Sequence, residues 1–131
     1  MQAIDKAAGL SKAFGSKLTV LYAIDPYPFT GVGADFALGQ DQYLEAARAE
    51  ADAAIDAANE RLRQAGVEAE TNVVEAHTVW RGILEAAGRL GADLLVMGSH
   101  GRRGIEKLVL GSVTQSVLAH TKITALVVRD A

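Results

Sequence analysis

The chain contains no cysteine, so disulfides, thiolate chemistry and cysteine-ligated zinc are excluded. Aromatic residues make up only 5% of it, so any core must be built from Ala, Val, Leu and Ile. Basic residues are not in excess. The formal net charge is −3, which argues against a nucleic-acid partner, since such proteins usually present a basic face. Long apolar runs are missing too. The longest, "DLLVMG" and "ITALVV", fall far short of the ~20 residues that a membrane helix needs. The start of the chain lacks the basic-then-apolar pattern of a secretion signal. A cytoplasmic protein without a membrane partner is the expectation. What is present is ample: half of the 131 residues are apolar, enough for the core of a single domain spanning 1–131.

Periodicity orders the chain. Residues 2–14 place Ile4, Ala7, Ala8, Leu10 and Phe14 near helical spacing, with Gly15 at the stop. "KLTVLYAID" predicts a strand buried on both faces. Residues 26–40 hold both prolines and three glycines, the pattern of a long loop, in which Tyr27 and Phe29 are candidate contact residues. Residues 41–65 predict a helix whose apolar stripe is Leu44, Ala47, Ala51, Ile55, Ala58 and Leu62, ended by Gly66. "VEAETNVVEA" predicts a strand near a sheet edge. "TVWRGILEAAGRLG" predicts a helix with Trp80, Ile83, Leu84, Ala87 and Leu90 on one side. "ADLLVMGS" predicts a buried strand, residues 112–120 a short helix, and "ITALVVR" a final strand. Alternation of this kind implies an α/β fold, a doubly wound open parallel sheet with right-handed crossovers. Such a fold ordinarily begins with a strand, whereas a helix comes first here.

The chemistry concentrates in "GSHGRRGIEKLVLGS", residues 98–112. Open parallel sheets bind ligands at the carboxyl ends of their strands, and this stretch leaves such an end. Gly98 and Gly101 would permit positive φ and close backbone approach. Successive N–H groups there could form an anion nest, and Gly111 and Ser112 open a helix with a partly positive N-terminus. No lysine is needed for such a phosphate cradle. A structural alternative stands beside it: Ser112 and Gln115 fit a capping box that needs no ligand. Arg102 and Arg103 suit phosphate contact or solvated surface, with surface preferred. His100 suits a ligand contact or loop geometry. His77, His100 and His120 are too scattered for a metal site. Asp5, Asp25 and Asp93 read as caps or solvated groups, and Trp80 as core.

The spacing Gly98, Gly101, Gly111, Ser112 is G-x2-G-x9-G-(S/T). With "GADLLVMGSHGR" and "LGSV" around it, the chain resembles the universal stress protein family in its nucleotide-binding type. "GSKLTVLYAIDP" is similar to that family's second strand. The resemblance implies a Rossmann-like sheet of order 3-2-1-4-5, similar to the adenine nucleotide alpha hydrolases. It also implies binding of ATP, with Mg²⁺ across the phosphates and no metal ligand from protein side chains. Gly98, Gly101, Gly111, Ser112 and Val113 would hold phosphates and ribose, with His100 and Arg102 as further phosphate-side contacts. Ala23 and Met97 would lie near the nucleoside. It implies a homodimer through the last strand, Ile123 to Val128, and a regulatory or sensor role in the stress response. The alternatives are an interaction protein whose glycine loop is structural, and a slow ATP hydrolase or phosphotransferase. No general base is apparent beside the loop, so no catalytic residue is assigned. The family's first strand, the central one, is absent from residues 1–131. Either these residues are part of a longer chain, the preferred reading, or the fold is completed otherwise, for instance by a partner chain. Without that strand one wall of the nucleotide site would be missing.

Overall fold

The structure, a computed structural model, describes residues 2–26, 34–99 and 110–129. Four helices and four strands alternate along it. They are α1 (Gln2–Phe14), β1 (Leu18–Ile24), α2 (Ala34–Gln64), β2 (Ala69–Glu75), α3 (Val79–Arg89), β3 (Leu94–Gly98), α4 (Ser112–His120) and β4 (Thr124–Val128). Gly15 and Gly66 end their helices at φ 64° and 76°, in the left-handed region that a side chain would strain.

The strands form two parallel pairs. β1 runs beside β2 with Leu18 opposite Ala69 and Ile24 opposite Glu75. β3 runs beside β4 with Leu94 opposite Thr124 and Gly98 opposite Val128. The expected single sheet is therefore two two-stranded sheets among the described residues.

Side-chain parity shows how the β1–β2 pair is covered. Leu18, Val20 and Ala69 pack with Ala8 of α1 and with Leu62 and Val67 at the end of α2. Val74 lies opposite Ala23, so by alternation it points to the other face, and there it meets α3 at Gly82. α1 and α2 thus cover one face and α3 the other, with α4 packed on α3. Gly82 is needed for that approach: a Cβ there would stand 2.5 Å from the Ala76 Cβ and 3.1 Å from the Val74 Cγ1. Trp80 of α3 stacks on His120 of α4 with ring centroids 4.0 Å apart. On the opposite layer, the Arg61 guanidinium grips the Asp5 carboxylate through both oxygens and ties α2 to α1. That pairing holds the Asp5 carboxyl below the usual carboxylate range.

Three expectations fail here for physical reasons. α2 begins at Ala34, not at 41, because one glycine at 39 does not outweigh a long run of helix formers. Phe14 is 77% exposed, since the helix ends there and its side chain clears the core. β1 is buried only at Ile24 and is half-buried elsewhere. Among the described residues its open side borders a cleft of about 580 Å³ between β1 and β3. The long-loop residues Tyr27 and Phe29 lie outside the described residues. Among the described residues no helix is long and apolar enough to cross a membrane.

Candidate functional site

The carboxyl ends of β1 and β3 and the N-terminus of α4 build the candidate site. β3 ends at Gly98, and the Ser99 N–H continues the ladder by donating to the Val128 carbonyl at 2.9 Å. The Ser99 carbonyl accepts from the Gly111 N–H at 2.8 Å. The Thr114 hydroxyl donates to the Gly98 carbonyl at 2.9 Å, and Thr114 is buried. Two bonds therefore fix the start of α4 against the end of β3. The polar groups at this junction satisfy one another, as buried backbone must.

Those bonds revise the expected loop chemistry. Gly98 lies in the strand, and positive φ among the described glycines occurs at 15, 66 and 91 instead. The Gly111 N–H is spent on Ser99, so it offers nothing to an anion. Gly111 is also the N-cap, extended at φ −62° and ψ 154°. Ser112 is consequently the first helical residue, and the expected capping box does not form. The Gln115 side chain turns back to the Leu110 carbonyl at 2.6 Å. What remains as donor surface is the first turn proper. The N–H groups of Ser112, Val113 and Thr114 precede the first intrahelical bond, Gln115 to Gly111 at 2.9 Å. Ser112 is exposed and Val113 half-buried. The α4 dipole adds partial positive charge at this end.

Ala23 of β1 and Met97 of β3 both line the cleft between the sheets, so the structure brings these two predicted residues to one cavity. Gly101, His100 and Arg102 lie outside the described residues. One pairing escaped the sequence reading. His77 Nδ1 stands 3.1 Å from Asp25 Oδ1 at the carboxyl ends of β2 and β1. The signal lay in the register: Ile24 faces Glu75, and the Ala76 N–H bonds the Ile24 carbonyl at 2.9 Å. Residues just beyond both strands must then meet. Arg48 of α2 reaches the Glu75 carboxylate at 3.0 Å at the same edge. Among the described residues no group of three or more His, Asp or Glu side chains could hold a metal ion.

Comparisons with known proteins agree on one relationship. Residues 1–129 match the model of the universal stress protein family. A universal stress protein of Methanocaldococcus jannaschii is 29% identical over 98% of this chain and 74% of its own length. Universal stress protein A homolog 2 of Coxiella burnetii is 32% identical over 96% of this chain and 83% of its own. Among solved structures, the universal stress protein UspA of Lactobacillus plantarum superposes with a TM-score of 0.84 at 21% identity, over 98% of this chain and 88% of that one. A universal stress protein in complex with cAMP gives a TM-score of 0.68 at 26% identity, over 99% and 86%.

Proposed function

The chain belongs to the universal stress protein family, and from that premise we propose that it is a nucleotide-binding regulatory module whose ligand is an adenine nucleotide, ATP in the first instance. The observation that carries the proposal is the fixed junction of β3 and α4. Two hydrogen bonds hold the amides of Ser112, Val113 and Thr114 at a strand's carboxyl end, facing the region where an anion would approach. Two structural relatives support the ligand class. One was solved with cAMP, and one from Archaeoglobus fulgidus was solved with dAMP.

In this reading the phosphates sit on the first turn of α4, with the Ser112 hydroxyl as an added donor. Gly98 and Gly111 keep the approach open, and Ala23 and Met97 flank the nucleoside. Gly101, His100 and Arg102 complete the phosphate side. Mg²⁺ would ride on the phosphates of ATP, since a three-carboxylate or His-rich nest is absent among the described residues. Regulation rather than turnover is the role, and a homodimer through β4, Ile123 to Val128, is the expected assembly.

Calorimetry with ATP, cAMP and AMP, with and without Mg²⁺, tests this. Binding should appear with wild type and vanish in Gly111→Val, whose side chain would fill the approach to the first turn. A variant that binds as wild type does would displace the site. No heat at millimolar nucleotide of any kind would instead favour an interaction protein with a structural glycine loop. Sustained turnover above about 1 s⁻¹ would favour an enzyme.

A further inference from the structure

α4 is thinly anchored for a helix that carries a binding turn. It has nine residues, fewer than an isolated helix needs, so its order comes from tertiary contacts. Its buried side chains are Thr114 in the first turn and Val117 in the middle. The last turn, Leu118 to His120, is exposed. Hydrogen bonds with Gly98 and Ser99 hold the first turn on β3. At the other end His120 stacks on Trp80, with ring planes 16° from parallel.

Both halves of that stack are held in place. The Ser116 carbonyl can only accept, so His120 must carry a proton on Nδ1, which donates to it at 2.8 Å and fixes the plane of the ring. Trp80 is the second residue of α3 and stands two before Gly82, where α3 lies too close to Ala76 and Val74 to admit a Cβ. The Arg81 guanidinium carbon stands 5.3 Å from the centroid of the same indole. α4 is therefore tied to β3 at its first turn and, through Trp80, to a platform seated on the β1–β2 sheet at its last.

We propose that His120 is a positioning residue for the first turn of α4: its stack on Trp80 holds the amides of Ser112, Val113 and Thr114 in place, about 12 Å away along the helix axis. That nucleotide phosphate occupies this turn rests on the reading above; the fastening itself does not. The link between the two ends is the cooperativity of a short helix. With so few intrahelical bonds, loss of the last-turn contact loosens the bonds of the first turn as well.

Hydrogen exchange on the ligand-free 131-residue chain reads the fastening. His120→Ala should speed exchange at Gly111 and Gln115, whose N–H groups bond the Ser99 and Gly111 carbonyls, by about two- to tenfold, the worth of one aromatic pair. Amides of β1 and β2 should keep their wild-type rates. The sign is diagnostic, because alanine is the better helix former and by propensity alone would slow exchange. His120→Phe keeps an aromatic ring on Trp80 and should restore the wild-type rates. ATP titrations of the same variants should show the same two- to tenfold weakening in His120→Ala and its rescue in His120→Phe. Unchanged exchange at Gly111 and Gln115 overturns the proposal. So does acceleration that spreads evenly to β1 and β2, failure of His120→Phe to rescue, or an ATP affinity indifferent to His120→Ala. If wild type binds no nucleotide, the nucleotide reading falls, and the exchange rates alone decide the fastening.

Discussion

Substituting Gly82 by alanine should destabilise the domain, although alanine is the better helix former. The substitution carries two opposed effects. In a helix interior alanine is favoured over glycine by about 0.8–1 kcal/mol. Against this, the new methyl would stand 2.5 Å from the Ala76 Cβ and 3.1 Å from the Val74 Cγ1. The first distance is impossible without movement, and Ala76 offers no flexible side chain to move. Relief must come from shifting α3 off the β1–β2 sheet, and overpacking of this kind costs roughly 1–3 kcal/mol. The net effect is a loss of up to about 2 kcal/mol. Gly9 provides the control. It lies within α1, exposed, with nothing within 4 Å of a Cβ, so Gly9→Ala keeps the propensity gain and should stabilise by roughly 1 kcal/mol. Both variants share the propensity term, so the gap between them isolates the steric cost. Urea unfolding measures it: with an m-value of about 1–3 kcal/mol/M, midpoints should separate by roughly 1 M. If Gly82→Ala matches or exceeds Gly9→Ala, the close approach of α3 to β2 is wrong. The seating of Ile83 and Ala87 along the cleft would then be wrong with it.

Other consequences can be checked in the same preparations. Asp5 has its pKa lowered by hydrogen bonding to Arg61, so its contribution to stability is present above the unfolded carboxylate pKa and lost as pH falls through the lower folded value. The stability gap between wild type and Asp5→Asn should hold steady from pH 7 to about 5 and close in more acid solution; a gap that persists at pH 2 would contradict the pairing. Among the described residues β4 pairs with β3 alone, and Leu126 stands 36% exposed on it. If β4 is the dimer edge, Leu126→Lys should convert the dimer to a monomer in sedimentation velocity. An unchanged sedimentation coefficient would move the interface elsewhere.

Much of the architecture was legible because aliphatic periodicity survives local exceptions. The stripe Leu44, Ala47, Ala51, Ile55, Ala58 and Leu62 is buried or half-buried throughout, and both predicted glycine stops after α1 and α2 adopt positive φ. What stayed hidden depended on partners distant in sequence. Ser112 and Gln115 have the spacing of a capping box. Yet the bond from the Gly111 N–H to Ser99 sets the helix start one residue earlier, and no local pattern announces that bond. The His77–Asp25 contact depends on the parallel register of β1 and β2, which period alone does not supply. Phe14 has core chemistry at a helix position from which no core can be reached. The expectation of a fully buried β1 failed most instructively. The residue types are right for a central strand, but burial depends on what packs alongside, and among the described residues one side of β1 borders a cleft.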